Sequence, residues 1–271
     1  MFPTLESFTH IINQLLPEPH ASLLAGMLFG IKRSMPNEFY QALITTGTLH
    51  VIALSGTNIV LLMRLVAALT LGVASRRVSS LLTVLFIILF ILFVGPSPSV
   101  VRAGLMGSLT LFAVYFGRRN WSLLSLFVAS LIMFLIRPDW IYSLSFQLSF
   151  GATLGIILFG GQNNVSVYSS FYTTLKRSLI ADLRLTLAAQ VFTIPLILYY
   201  FGRVSLISPL TNLATGWLVG PIMIMGFVVV IIGMIWLPLG RLASLVVWVP
   251  LALFVTIVRF CAELPFASIQ W

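Results

Sequence analysis

The chain has 271 residues, 59% hydrophobic and 8% charged, and its 15 Lys and Arg outnumber 6 Asp and Glu for a formal net charge of +9. Soluble domains carry roughly a quarter charged residues, so a mean hydropathy of +1.09 excludes an aqueous globule and leaves length for about eight spans of roughly twenty residues. One cysteine, Cys261, and three histidines, His10, His20 and His50, exclude an internal disulfide and a clustered zinc site.

Residues 1–19 mix Glu6, His10, Asn13, Gln14 and Glu18 with apolar residues and lack the basic and apolar regions of a signal peptide. They read as an interfacial leader. The apolar run 21–31 is too short to cross a bilayer before Lys32 and Arg33, so it is expected to be interfacial or re-entrant. The chain therefore divides into an N-terminal interfacial or re-entrant segment, 1–47, and a polytopic transmembrane domain, 48–271.

Within that domain, apolar runs broken by charges, Pro and Gly predict spans at 48–73, 78–95, 98–116, 121–136, 141–160, 184–201, 207–235 and 240–260. The fold class is an all-α, polytopic integral membrane helical bundle of about eight transmembrane helices with broken or re-entrant segments. Pro209, Asn212, Gly216 and Pro221 interrupt the seventh run, which is expected to be a broken entry helix. Residues 166–184, with Lys176, Arg177, Asp182 and Arg184, are expected to form an amphipathic helix on anionic headgroups. Alternate loops place Arg76, Arg77, Arg118, Arg119, Lys176, Arg177, Arg184 and Arg241 on one side. Lys32, Arg33, Arg137, Arg203 and Arg259 fall on the other, so the positive-inside rule puts both termini outside the cytoplasm.

Polar residues inside these runs are the candidate functional groups, because they cannot be hydrated by hydrocarbon and must pair within the protein or line a wet cavity. The first span holds His50, Ser55, Gly56 and Asn58. Gly56 weakens the helix and Ser55 can cap a restarted one, whose bare N–H groups would favour an anion; the alternative is that Gly56 only permits close packing. His50 lies five residues before Ser55, which is not a same-face helical spacing, so a serine–histidine dyad is disfavoured. Arg64 lies twelve residues before Arg76, about 18 Å along a helix, too deep to snorkel easily. It needs backbone carbonyls, water or a passing anion as partner.

In the third span Ser97 is a natural N-cap with Pro98 at the first helical position. Arg102 follows one turn in, where its planar fork suits bidentate contact with a phosphate; snorkelling to headgroups is the competing account. The fifth run combines Ser143, Ser145, Gln147 and Ser149 with a Gly151-x-x-x-Gly155 packing motif. Gln147 either links helices by hydrogen bonds or lines a pathway. Trp140, Phe146 and Phe150 could stack bases, although lipid-facing positions are the commoner use of such residues.

Three blocks in the same order resemble the competence domain of the ComEC-type bacterial DNA-uptake channels. They are Phe29-Gly30-Ile31-Lys32 through Thr46-Gly47-Thr48-Leu49-His50 to Ser55-Gly56, then Pro98-Ser99-Val100-Val101-Arg102-Ala103, then Ser145-Phe146-Gln147-Leu148-Ser149 through Gly155. The resemblance implies a channel component that conducts single-stranded DNA across the bacterial cytoplasmic membrane during natural transformation, without enzymatic activity or cofactor. Taken with the polar groups found inside the apolar runs, this expectation makes His50, Ser55, Gly56, Asn58, Arg64, Arg102, Gln147 and Ser149 the candidate DNA-path residues. The resemblance also implies separate nuclease, DNA-receptor and cytoplasmic motor proteins as partners, contact with membrane lipids, and a possible homo-oligomer. Family members often carry a second His where Asn58 stands and an acid near Ser143. Longer members add an oligonucleotide-binding domain and a nuclease, for which this chain has neither room nor ligands.

Two other functions compete with that expectation. Broken helices around a midplane site would suit a secondary transporter of an organic or lipid-linked anion. Ser55 with His50 would suit an intramembrane hydrolase, for which no third orienting group is evident.

Overall fold

The computed structural model describes residues 4–31, 35–118, 121–161 and 171–270, with side chains described outside 114, 171–179 and 270. Each of the eight apolar runs is helical. The first run contains the short α4 (Leu49–Ile52) and then α5 (Gly56–Leu71). After it come α6 (Arg76–Val94), α7 (Pro98–Tyr115), α8 (Ser122–Ile136) and α9 (Leu144–Phe159). The last three are α10 (Phe171–Phe201), α11 (Ser208–Ile235) and α12 (Leu237–Glu263). Three further helices precede them: α1 (Leu5–Leu15), α2 (His20–Phe29) and α3 (Asn37–Thr45). Residues 76–94, 180–201, 208–235 and 237–263 are long and apolar enough to cross a membrane, whereas α2, α5, α8 and α9 are shorter apolar helices.

Local chemistry sets several of these boundaries. Ser55, Ser75 and Ser143 each accept a hydrogen bond from the backbone N–H three residues on, at the starts of α5, α6 and α9, which satisfies one of the first-turn donors that a helix leaves unpaired. Gly95, at a φ of 100°, ends α6 in a conformation that L side chains rarely adopt.

The seventh run departs from expectation. It is one continuous helix, not a broken one. Pro209 sits in the first turn, where its missing N–H removes no helical bond. Pro221 lies inside the helix and Asn212 and Gly216 also belong to it; the cost of one lost rung is offset by packing, since Leu218, Ile222 and Met223 beside it are buried in the main core. Residues 171–184 likewise continue directly into the sixth span as α10, while 166–170 lie outside the described residues. Lys32 and Arg33 also lie outside them.

The main core joins the N-terminal helices to the last two. All but the first residue of the α2 stretch His20–Phe29 are buried, and they share one hydrophobic cluster with Ile12 and Leu15 of α1, Ile222 and Val230 of α11, and Leu251 and Phe254 of α12. Close approach there depends on small residues. A Cβ on Gly26 would lie 2.1 Å from Ile52 Cγ2, and one on Gly226 would lie 2.5 Å from Leu24 Cδ1. A second cluster, including Ile59 and Met63 of α5, Ile87 and Phe90 of α6 and Ala103 of α7, binds the middle helices. The short strands β1 (Arg203–Ser205) and β2 (Ser268–Gln270) pair antiparallel, which attaches the end of the described chain to the α10–α11 connection.

Five helices pack in a closed cycle among the described residues: α5 on α7, α7 on α9, α9 on α10, α10 on α11 and α11 on α5. Helices that are not neighbours in this order make no comparable contact with one another. The tightest joint is α9 with α10, where a Cβ on Gly155 would meet the Ala188 carbonyl oxygen at 2.1 Å and one on Gly151 would meet Phe192 Cβ at 3.2 Å. The GxxxG motif therefore serves helix packing.

Candidate functional site

Ser55 and Gly56 mark a true interruption. After α4 the backbone is extended at Ala53 and Ser55, and α5 restarts with Ser55 Oγ accepting from the Asn58 N–H at 3.3 Å. The Ser55 hydroxyl donates to Asn58 Oδ1 at 3.0 Å and also shares a 2.9 Å hydrogen bond with Thr57. Asn58 is buried, and its Nδ2 donates to the Met27 carbonyl at 3.0 Å. Both ends of that amide are thus committed, Oδ1 to the cap of its own helix and Nδ2 to holding α5 against α2.

Arg102 lies beside this restarted helix. It is 6% exposed, and its Nη2 is 3.1 Å from where a Cβ on Gly56 would stand. The absent side chain of Gly56 makes room for the guanidinium at a helix N-terminus, so two positive features share one place. Nη1 donates to the Ser149 carbonyl at 2.5 Å and to the Thr153 hydroxyl. Nε is buried without a hydrogen-bond partner. No acid pairs with this charge; the sequence holds no Asp or Glu between Glu38 and Asp139. Ser149 therefore contributes its backbone carbonyl, and Thr153, which sequence reasoning passed over, contributes its hydroxyl. Thr153 lies one helical turn beyond Ser149, the only cue the sequence offered.

Arg64 is exposed and has no hydrogen bond or ion pair among the described residues. Its direction follows from the faces of α5 that are already used. Ile59 and Met63 join α6 in the second core, and Ser79 of α6 donates to the Ala67 carbonyl at 3.3 Å. Gly56 and Met63 face α7, while Leu61 approaches Gly220 of α11 at 3.9 Å. The exposed stripe Thr57, Val60, Arg64 and Ala68 lies opposite the α6 face, between the α7 and α11 contacts, and so turns to the inside of the five-helix cycle. On α11 the stripe Asn212, Gly216 and Gly220 shares the side that meets α5, and a Cβ on Gly216 would have nothing within 4 Å. Gln190 of α10 and Asn212 both reach Ser208 Oγ, at 3.1 and 3.4 Å.

His50 and Gln147 sit apart from Arg102. His50 is exposed, with Nδ1 bonded to the Gly47 carbonyl at 2.9 Å, and Gly47 itself packs on Ser208. No hydrogen bond joins His50 to Ser55. Gln147 bridges Ile141 and Tyr200, donating to the Ile141 carbonyl at 3.2 Å and accepting from the Tyr200 hydroxyl at 3.1 Å. Phe146 is buried and stacks on Phe150, with centroids 5.9 Å apart, and Arg137 lies over Trp140. Arg184 donates from Nε to the Phe159 carbonyl at 2.9 Å and so caps the end of α9. Among the described residues no group of His, Cys, Asp and Glu could hold a metal ion.

The structure thus brings Ser55, Gly56, Arg102 and Ser149 together, adds Thr153, leaves Arg64 exposed on the face of α5 between its α7 and α11 contacts, and gives Asn58 and Gln147 protein partners.

A protein-family model described as Competence protein matches residues 27–271. ComE operon protein 3 of Bacillus subtilis (strain 168) is 29% identical over 209 residues, which cover 75% of this chain and 26% of that protein. An uncharacterized protein of Aquifex aeolicus (strain VF5) is 33% identical over 135 residues, 49% of this chain and 32% of that one. The chain thus spans about a quarter to a third of the length of these relatives. No solved structure matches it. Its apolar helices and these relatives place it in the bacterial inner membrane. With the match running through all five helices of the cycle, the chain belongs to the Competence protein family.

Proposed function

We propose that this chain is the membrane part of a DNA-uptake apparatus and that the five-helix cycle conducts a single DNA strand. The observation that carries the reading is the placement of Arg102 beside the N-terminus of α5, without an acidic partner, on a cycle whose inner side also receives Arg64. A phosphodiester chain is the anion that suits two guanidinium groups and bare helix donors. Conduction requires contacts that are weak and repeated, because a site that grips one phosphate would stall the strand. Arg102, half used by Ser149 and Thr153, meets that need: its residual donors attract without enclosing.

On this reading the chain performs no chemistry. It relies on separate proteins for strand degradation, DNA capture at the surface and pulling from the cytoplasm, and both of its termini lie outside the cytoplasm.

Cysteine labelling tests the path directly. The native Cys261 is buried, so Thr57→Cys on the inner stripe of α5 supplies the reactive thiol. In a host lacking its own channel, a water-soluble thiol reagent is expected to modify Thr57→Cys and to stop internalisation of labelled DNA. Leu85→Cys on the exposed face of α6 is expected to leave internalisation intact. Modification of Thr57→Cys without any effect on DNA entry would overturn the path; saturable uptake of a small anion instead of DNA would overturn the cargo.

A further inference from the structure

A second site lies outside the cycle, where α6 and α7 diverge at one end of the bundle. A groove of about 240 Å³ opens there, lined by Ser80, Leu81 and Val84 of α6 and by Leu111, Phe112 and Tyr115 of α7, with Phe116 beyond. Leu81 is 55% and Phe112 52% exposed, so this apolar channel faces the surroundings of the bundle. Arg77 stands at its mouth. It is one helical turn before Ser80 and Leu81 on the same face of α6, and its guanidinium carbon lies 5.6 Å from the Tyr115 ring centroid, close enough for a cation–π contact that fixes it there.

The charge around that mouth is of one sign. Arg76 and Arg77 occupy the first turn of α6, which is also the positive end of its helix dipole. Arg118 follows the end of α7, and all three arginines are exposed. Neither helix carries an acid. An apolar trough ending in exposed guanidinium groups is complementary to one kind of molecule in a bilayer: an acyl chain attached to an anionic phosphate.

We propose that the groove between α6 and α7 binds one anionic glycerophospholipid, with its phosphate at Arg77 and an acyl chain along Leu81, Val84 and Phe112. Arg77, held over Tyr115, supplies the charge for the headgroup, and the groove selects against a headgroup without a tail. This site is independent of the DNA path, which lies on the opposite side of α5 from α6.

The test uses the full chain purified in a non-ionic detergent and native mass spectrometry of bound lipid. Phosphatidylglycerol is expected to be retained at one molecule per chain and more tightly than phosphatidylcholine with the same acyl chains. Arg77→Ala should weaken phosphatidylglycerol binding about fivefold, the factor given by roughly 1 kcal/mol per basic residue at an anionic surface. Val84→Phe, which fills the trough, should weaken it as well, and Arg241→Ala on α12 should not. Dihexanoyl phosphatidylglycerol, which has the headgroup but little tail, should bind the unaltered protein poorly, a comparison that needs no variant to fold. Equal retention of the two long-chain lipids, equal binding of the short-chain form, or an Arg77→Ala variant no different from Arg241→Ala would overturn the proposal.

Discussion

Replacing Arg102 by Met separates a guanidinium that serves the cargo from one that merely ties α7 to α9. Two hydrogen bonds would be lost, to the Ser149 carbonyl and the Thr153 hydroxyl. Bonds from a charged donor contribute about 1.5–3 kcal/mol each, so about 3–6 kcal/mol in all. Against this stands the cost of keeping the charge out of water, which is several kcal/mol and is relieved by the substitution. Nothing polar need be stranded, because the Thr153 hydroxyl already donates to the Ser149 carbonyl at 3.0 Å. The two terms nearly cancel, and Arg102→Met should change unfolding stability by less than about 2 kcal/mol in either direction. DNA entry should fall by about tenfold or more, equivalent to at least about 1.4 kcal/mol on the barrier to passage, and Arg102→Lys should fall between. The assays are denaturant unfolding of the purified chain and internalisation of labelled DNA in a channel-null host, normalised to membrane protein level. Unchanged DNA entry at equal protein level would refute the role. So would a stability loss above about 4 kcal/mol with entry falling only as the protein level falls, because that is the behaviour of a structural tie.

Three further outcomes test the framework around that site. Gly155→Ala places a Cβ 2.1 Å from the Ala188 carbonyl oxygen, and since backbone cannot yield cheaply it should destabilise by about 1–3 kcal/mol, read as a lowered thermal midpoint. Asn58→Leu leaves the buried Met27 carbonyl without its donor and should cost about 1–3 kcal/mol, with faster proteolysis near α2 as a second readout. Ser55→Ala removes the cap of α5 for about 1 kcal/mol; Ser55→Asp, which can still cap, should restore stability while placing an acid near Arg102, and so should depress DNA entry more than Ser55→Ala does.

The sequence by itself determined the elements and the class. Apolar run length fixed the eight helical stretches, because a backbone in hydrocarbon must satisfy its hydrogen bonds within its own segment. Ser55 was legible as the cap of a restarted helix, and its pairing with Gly56 announced the interruption before α5, whereas Ser75 and Ser143 were recognised as caps only from the structure. Tertiary structure alone decided which helices are neighbours. That α2 is buried against α1, α11 and α12, and that α11 passes unbroken through Pro221, depend on partners far along the chain, which no local period encodes. The same holds for the site: Arg102 and Gly56 were each legible as cationic or donor-rich, but their meeting, and the Thr153 hydroxyl that fixes it, arises from α7 packing between α5 and α9. Hydrogen bonds within a helix are local and can be read from the residues that make them; side-chain packing between helices is not, and it is packing that sets two positive features side by side.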